Sequence, residues 1–166
     1  MNYFGYMPND FINGTGVSVS LWTAGCPHRC PGCHNKEMWD YNNGYEIPND
    51  IEEQICQAIQ ANGIQRNFSV LGGEPLSLQN LAFVNKIISK VRNTFPDIKI
   101  YLWTGFTYEE LQGMLEKMPN ISYIKDLKSI LSQIDILIEG RYKEELRDIT
   151  LPLRGSSNQR IIKMKE

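Results

Sequence analysis

Residues 68–103 read FSVLGGEPLSLQNLAFVNKIISKVRNTFPDIKIYLW and combine a short apolar strand, a glycine-rich turn, a helix and a second strand. The predicted strands are Phe68–Leu71 and Ile98–Trp103. Between them, apolar residues at helical spacing predict one buried helix face, made of Leu81, Val84, Ile87, Ile88 and Val91. A strand, a helix and a strand in this order form a βαβ unit, which predicts parallel strands and a right-handed crossover.

Further strands are predicted on both sides of this unit. Val17–Trp22 alternates in polarity as a half-buried strand does, and Ile134–Ile138 is a short apolar run. Arg160–Met164 is a candidate for a last short strand. The chain therefore has four clear strands and room for about two more.

Two further helices are predicted behind capping-box patterns. Asp50, with Glu53 three residues on, marks the start of the first helix, which ends at Gly63. Its apolar face consists of Ile51, Ile55, Ala58 and Ile59. Thr107 and Glu110 precede the second, whose apolar positions are Leu111, Met114, Leu115 and Met118. Cys56 lies inside the first helix and is interpreted as a small buried hydrophobe.

The expected fold is α/β: a single domain over residues 1–166, built as a partial, open parallel β/α barrel, a truncated TIM-like fold. A complete eight-fold barrel takes about 250 residues, more than this chain offers. In such sheets the chemistry gathers at the carboxyl ends of the strands. Three unusual segments follow predicted strands: the cysteines after Trp22, the Gly72–Pro75 turn and Thr104-Gly105.

Composition excludes several classes of protein. The 17 basic and 19 acidic residues give a net charge of −2, without the basic surface of a nucleic-acid-binding protein. No run approaches the roughly 20 apolar residues of a membrane span, and Met1–Asp10 lacks the pattern of a secretory signal. Three of the four cysteines fall within eight positions, unlike a disulfide framework. We expect a cytoplasmic protein with no nucleic-acid or membrane partner.

The cysteine segment reads Cys26-Pro-His-Arg-Cys30-Pro-Gly-Cys33, a C-x₃-C-x₂-C spacing. Iron–sulfur clusters of four irons are held by thiolates, usually four, so three thiolates would leave one iron open for chemistry. A structural zinc completed by His28 or His34 is an alternative, although both histidines are too close to the cysteines in sequence for easy tetrahedral ligation. Surface thiols without metal are the other alternative.

This cysteine spacing after the first strand, with Gly-Gly-Glu-Pro after the next, resembles the radical S-adenosylmethionine superfamily. The resemblance implies one 4Fe-4S cluster whose fourth iron chelates the methionine amine and carboxylate of S-adenosylmethionine. One electron then cleaves the cofactor into methionine and a 5′-deoxyadenosyl radical. The implied cluster ligands are Cys26, Cys30 and Cys33, and no catalytic residue separate from the cluster is expected.

The resemblance also implies the residues that contact S-adenosylmethionine. Gly72 and Gly73 would let the backbone approach the cofactor, and Glu74 would offer a carboxylate to the methionine ammonium. Much of the superfamily has an aromatic residue just before the third cysteine, where this chain has Gly32. The expected adenine contacts are therefore Gly32, Cys33 and His34. Thr104 is a weaker candidate, for which helix capping is the preferred interpretation.

Five segments narrow the resemblance to the glycyl radical enzyme activases that serve anaerobic ribonucleoside-triphosphate reductase. They are Asn13–Gly16, Gly25–Lys36, Trp103–Thr107, Asp135–Gly140 and Arg154–Arg160. Such an activase removes a hydrogen atom from a glycine of the reductase's large subunit and takes its electron from flavodoxin or a similar carrier. The segment Arg154–Arg160 has two interpretations of equal weight, an exposed polar tail and a docking or cofactor-side loop. No role is assigned to Asp135.

Four alternatives remain open at this level. The chain could activate another glycyl radical enzyme, or it could be a small-molecule deazapurine synthase, which the C-terminal segment disfavours. Outside the enzymes, it could be a ferredoxin-like electron carrier or a zinc-binding interaction module.

Overall fold

The computed structural model describes residues 1–117 and 119–166, so the predicted apolar position Met118 lies outside the described residues. The strands are β1 (Asn2–Asp10), β2 (Ser18–Thr23), β3 (Tyr45–Glu46), β4 (Asn67–Gly72), β5 (Ile100–Thr104), β6 (Ile136–Glu139) and β7 (Arg160–Lys163). The helices are α1 (Ile51–Gln60), α2 (Leu81–Thr94), α3 (Tyr108–Lys117) and α4 (Ile121–Gln133). Among the described residues, none of the helices has the length and apolar character that crossing a lipid bilayer requires.

All seven strands belong to one open sheet in the order β3-β1-β2-β4-β5-β6-β7. The four strands β2, β4, β5 and β6 run parallel, and the predicted βαβ unit is β4-α2-β5. β1 pairs antiparallel with both β2 and β3, and β7 pairs antiparallel with β6. The sheet is therefore mixed, and its centre is parallel while both edges are antiparallel.

The expectation of a parallel, truncated TIM-like barrel is wrong. β1 reaches β2 through residues 11–17 without a helix, and such a short connection joins antiparallel neighbours, because parallel strands need a longer crossover. Residues 140–159 likewise contain only a short 3-10 turn, Glu144–Leu146, before β7. Without a crossover helix at either end of the sheet, the outer strands turn back and the sheet stays open.

The helices pack against one face of this sheet in a single apolar cluster. The sheet contributes alternate residues, as the two-residue repeat of strands requires: Val19, Leu21, Phe68, Val70, Ile100, Leu102 and Leu137. The whole predicted face of α2 is buried, and so is Cys56 of α1. Each large side chain removed from water in this way contributes about 1.5–3 kcal/mol. The core thus holds the parallel strands in register and fixes where their carboxyl ends lie.

The opposite face of the sheet is covered at its amino end by the segment Asn13–Gly16. The Ser69 hydroxyl donates to the carbonyl of Asn13, and the hydroxyls of Thr15 and Tyr101 lie 2.5 Å apart. Gly14 has a φ of +135°, and a Cβ on it would lie 2.5 Å from Ser18 Oγ, so the position favours glycine. This segment has a structural role, at the end of the strands away from the cysteines.

Only one of the two predicted capping boxes forms. The Glu110 N–H donates to Thr107 Oγ1 (3.1 Å), and the Thr107 N–H donates to Glu110 Oε2 (2.8 Å). Helix α1 does begin directly after Asp50, but the Asp50 side chain makes no capping bond and instead accepts from Gln54 Nε2. Burial of its apolar face, and not a capping bond, therefore determines the position of the first helix.

Candidate metal centre

The three unusual segments meet in one cleft at the carboxyl ends of the parallel strands. Its walls come from the loop after β2, from the turn after β4, from the end of β5 and from the chain after β6. Its lining includes Cys26, Cys30, Cys33, Gly72, Gly73, Glu74, Thr104, Gly105, Arg141, Tyr142 and Gln159.

The segment Cys26–Cys33, called the cysteine loop below, is held in place by backbone hydrogen bonds. The Gly25 and Cys26 N–H groups donate to the carbonyls of Met38 and Trp39, which anchors the start of the loop. At its end, the Cys33 N–H donates to the Cys30 carbonyl over 3.1 Å. All three cysteines are free and partly exposed to the cleft.

The environment disfavours the thiolate form of two of these sulfurs. Burial, with the negative charge of Glu74 nearby, raises the pKa of the Cys26 thiol to about 11. Burial also raises the pKa of the Cys30 thiol. Because thiolates are the metal ligands, a metal ion must displace these protons and supply the positive charge that compensates for burial.

The donor set fits an iron–sulfur cluster better than a zinc ion. Within residues 1–117 and 119–166, no group of three or more His, Cys, Asp or Glu side chains is placed to hold a single metal ion. Zinc needs all its ligands about 2.0–2.3 Å from one centre. In a cluster each thiolate binds a different iron, so the sulfurs can stand further apart around one cleft.

Glu74 is the most connected side chain of the site, and it is fully buried. Its Oε1 accepts from the Leu76 N–H (2.9 Å) and from the Thr104 hydroxyl (2.8 Å). Its Oε2 lies 2.7 Å from His28 Nε2 and accepts from the Gly105 N–H over 2.7 Å. One carboxylate therefore ties the turn after β4 to the end of β5 and to the cysteine loop. We expected Thr104 to cap a helix, but its hydroxyl instead donates a hydrogen bond to this carboxylate.

The two glycines before Glu74 allow the turn to pack directly on the base of the cysteine loop. The Gly73 N–H donates to the Thr23 carbonyl (2.8 Å), and the Glu74 N–H donates to the Gly25 carbonyl (2.7 Å). A Cβ on Gly73 would lie 2.3 Å from the Gly25 oxygen. Gly72 has a φ of +108°, a conformation that favours glycine, and both glycines line the cleft.

The three expected adenine contacts differ in where they lie. Cys33 lines the cleft, whereas Gly32 and His34 on either side of it are exposed. A Cβ on Gly32 would meet the Glu144 side chain, and the His34 ring centroid lies 6.1 Å from that of Tyr142. The Tyr142 hydroxyl in turn donates to Glu144 over 2.6 Å. The chain after β6 therefore packs against this part of the cysteine loop.

Sequence reasoning missed this contribution from the chain after β6. Arg141 and Tyr142 line the cleft and follow β6 directly, so the rule that parallel strands carry chemistry at their carboxyl ends could have identified them. Gln159 also lines the cleft, and it belongs to Arg154–Arg160, the segment for which a docking or cofactor-side loop was one of the two expectations.

The segment Arg154–Arg160 folds against the chain after β6. Asn158 Nδ2 donates to the Arg141 carbonyl, and Gln159 Nε2 donates to the Gly140 carbonyl. Arg160 pairs with Glu139 and Glu109 of the same chain. The interpretation of this segment as a free polar tail is therefore wrong, and the carboxylates that Arg160 meets are internal.

Asp135 lies at the other end of its strand from the cleft. It precedes β6, and its Oδ2 accepts from Arg92 Nη2 and from the Ile100 N–H. Its position is that of a structural residue joining α2 to the sheet.

Comparison with known proteins agrees with this site. A family model described as a 4Fe-4S single cluster domain matches residues 12–162. The anaerobic ribonucleoside-triphosphate reductase-activating protein of Pasteurella multocida is 34% identical over 100% of this chain and 99% of that protein. Proteins of the same name from Escherichia coli K12 and Enterobacteria phage T4 are also 34% identical, over 96% and 97% of this chain and 96% and 93% of their own length. The chain therefore belongs to the family of anaerobic ribonucleoside-triphosphate reductase-activating proteins and contains a 4Fe-4S single cluster domain.

Proposed function

We propose that this protein is a radical S-adenosylmethionine enzyme that installs a glycyl radical in the large subunit of an anaerobic ribonucleoside-triphosphate reductase. The observation that carries the proposal is the meeting of three cysteines with the Gly72-Gly73-Glu74 turn in one cleft. Similarity to activating proteins over the full length of the chain supports the choice of partner. A reduced flavodoxin or a similar carrier is the proposed electron donor.

In this proposal Cys26, Cys30 and Cys33 hold a four-iron cluster and leave its fourth iron to the methionine end of S-adenosylmethionine. When bound and reduced, the cluster would supply the electron for reductive cleavage of S-adenosylmethionine, whose deoxyadenosyl fragment would take a hydrogen atom from the target glycine. Thiolate-ligated clusters reach reduction potentials down to about −700 mV, low enough for such a step. The chain's own residues hold the cluster, orient the cofactor and shape the cleft.

The residues proposed to bind S-adenosylmethionine fall into two groups. Gly72, Gly73 and Glu74 would receive the methionine end, and Gly32, Cys33 and His34 would contact the adenine. The buried charge of Glu74 favours an ammonium in the cleft. However, a carboxylate offers about four acceptor positions, and four donors already fill those of Glu74. With these donors in place, Glu74 acts on the ammonium through its charge and its fixed position, and no direct bond is required.

The experiment that tests the function uses protein reconstituted with iron and sulfide under anaerobic conditions and then reduced. S-adenosylmethionine and the reductase are added, 5′-deoxyadenosine is measured by chromatography, and the glycyl radical is measured by electron paramagnetic resonance. We expect both products. The radical doublet appearing only with a different glycyl radical enzyme would refute the choice of partner. A protein that accepts electrons but never cleaves S-adenosylmethionine would be an electron carrier.

A pair of cysteine variants makes the test specific for the cluster. Cys30→Ala removes a proposed ligand and is expected to abolish both products. Cys56→Ala is the matched control, because Cys56 is buried in α1, with its sulfur 4.0 Å from Thr94 Oγ1. We expect the control to retain its iron and its activity. Iron loss in Cys56→Ala alone would show that the proposed ligand set is wrong.

A further inference from the structure

His28 lies between two proposed cluster ligands in sequence, lines the same cleft, and has a side chain that is almost completely buried. Its Nε2 is 2.7 Å from Glu74 Oε2, and only 5% of its side chain is exposed. The two residues are 46 positions apart in sequence. The contact therefore joins the middle of the cysteine loop to the most buried acid of the cleft.

The His28 ring fits closely between residues that follow β5. The ring packs edge-on against Phe106, with centroids 4.5 Å apart and planes at 76°. A Cβ on Gly105 would lie 2.4 Å from His28 Cδ2, so the absence of a side chain at Gly105 makes room for the ring. The Gly105 N–H also donates to the same oxygen of Glu74 that His28 contacts. Two residues after β5 thus shape the slot that orients the ring toward Glu74.

We propose that His28 is a positioning residue, which fixes the arc between Cys26 and Cys30 to the carboxylate of Glu74. The inference rests on the proposed function, in which the cysteines hold the cluster and Glu74 faces the methionine end of S-adenosylmethionine. The His28–Glu74 contact sets the distance between these two parts of the site. With the contact in place, the cysteine loop and the Gly72–Glu74 turn move as one unit.

The proposal depends on the hydrogen bond between His28 and Glu74, which an apolar side chain of similar size cannot make. Leucine would occupy the slot beside Phe106 but would leave Glu74 Oε2 with one donor fewer. Glutamine keeps an N–H donor on a chain long enough to reach the carboxylate, and asparagine keeps the donor on a chain that is too short. Replacing a residue that orients metal ligands without binding the metal itself typically lowers metal affinity or activity by about 10- to 100-fold.

The test compares His28→Leu, His28→Gln and His28→Asn after anaerobic reconstitution. The first measurement is the rate at which each cluster loses iron to a chelator, and it does not depend on S-adenosylmethionine. We expect about tenfold faster loss in the leucine and asparagine variants and near wild-type behaviour in the glutamine variant. The second measurement is the dissociation constant of S-adenosylmethionine, followed by its effect on the spectrum of the oxidised cluster, which does not cleave it. Here we expect binding weakened by about 10- to 100-fold in the same two variants, with rescue by glutamine.

Lys36→Ala is the control, because this exposed residue lies outside the cysteine loop and has no part in the proposed contact. Equal iron loss in wild type and His28→Leu would overturn the inference, and so would a glutamine variant as defective as the leucine one. If His28→Leu does not fold, the glutamine and asparagine pair decides the same question. Wild-type protein that holds a cluster but does not bind S-adenosylmethionine refutes the proposed function instead, and the chelator measurement still decides the role of His28.

Discussion

Adding a single methyl group at Gly73 should separate the two segments that build the cleft. A Cβ at this position would lie 2.3 Å from the carbonyl oxygen of Gly25, 2.8 Å from its carbon and 3.0 Å from its nitrogen. These are backbone atoms, so no side chain can rotate away. Gly25 has little room to retreat either, because a Cβ on it would already meet the ring of Tyr41.

The expected cost follows from these contacts. To reach even 3.0 Å, the Gly73 and Gly25 backbones must move apart by about 0.7 Å, which strains the 2.7 Å bond from the Glu74 N–H to the Gly25 carbonyl. Overpacking a well-packed site costs about 1–3 kcal/mol, and a lost hydrogen bond costs about 0.5–1.5 kcal/mol. We therefore expect Gly73→Ala to lower the free energy of unfolding by about 2–4 kcal/mol, out of the 5–15 kcal/mol typical of a domain of about this size.

Urea denaturation of the metal-free protein, followed by circular dichroism, measures this change directly. Gly113→Ala is the matched control: Gly113 lies within α3, and a Cβ there would have no neighbour within 4 Å. Alanine stiffens the unfolded chain and suits a helix, so the control should gain about 0.4–1 kcal/mol. Gly73→Ala with the stability of the wild type, or above it, would refute the argument that backbone contact demands glycine here.

Three other outcomes are expected. Cys56→Ala should lower the free energy of unfolding by about 1 kcal/mol or less in urea melts, since it trims one small buried group; a loss of several kcal/mol would contradict this. The pKa of Glu110 is lowered, because the Thr107 N–H and the Arg141 guanidinium outweigh the effect of burial, which raises it. A depressed pKa gives stability that is present above the unfolded value of about 4.3 and is lost as the pH falls through the folded value. The deficit of Glu110→Gln in urea melts should therefore shrink at acidic pH, and a pH-independent deficit would be contrary evidence. Trp103→Phe removes the 2.7 Å bond from Nε1–H to the Leu153 carbonyl and should cost about 0.5–1.5 kcal/mol in a thermal melt, whereas an unchanged melting temperature would count against that bond.

Some elements escaped sequence analysis although their signals were present. Helix α4 begins at an Asn120 cap whose side chain accepts from the Tyr123 N–H, and it buries Tyr123, Leu127, Ile130 and Leu131 at helical spacing. Strand β1 was harder to find, because Gly5 and Pro8 interrupt its pattern and its pairing with β2 shifts register twice. The position of α4 could therefore have been predicted from the sequence, whereas β1 could be placed only once its pairing with β2 was known.

The sequence by itself determined the local features of this protein. The spacing of Cys26, Cys30 and Cys33, the amphipathic face of α2 and the capping box at Thr107 each depend on residues within a few positions of one another. Such features follow from backbone geometry and side-chain chemistry, which the sequence states directly. The parallel order of the central strands followed from the same kind of evidence, because a helix between two strands leaves little choice of direction.

Only the tertiary structure decided the direction of the edge strands and the partners of Glu74. The sheet is mixed because β1 and β7 return without crossover helices, and this depends on which edges remain free once the core has formed. Glu74 meets His28 and Gly105 across 46 and 31 residues of chain, and Gln159 reaches the cleft from the far end. Contacts at such separations are set by how the helices pack on the sheet, and no local pattern encodes them.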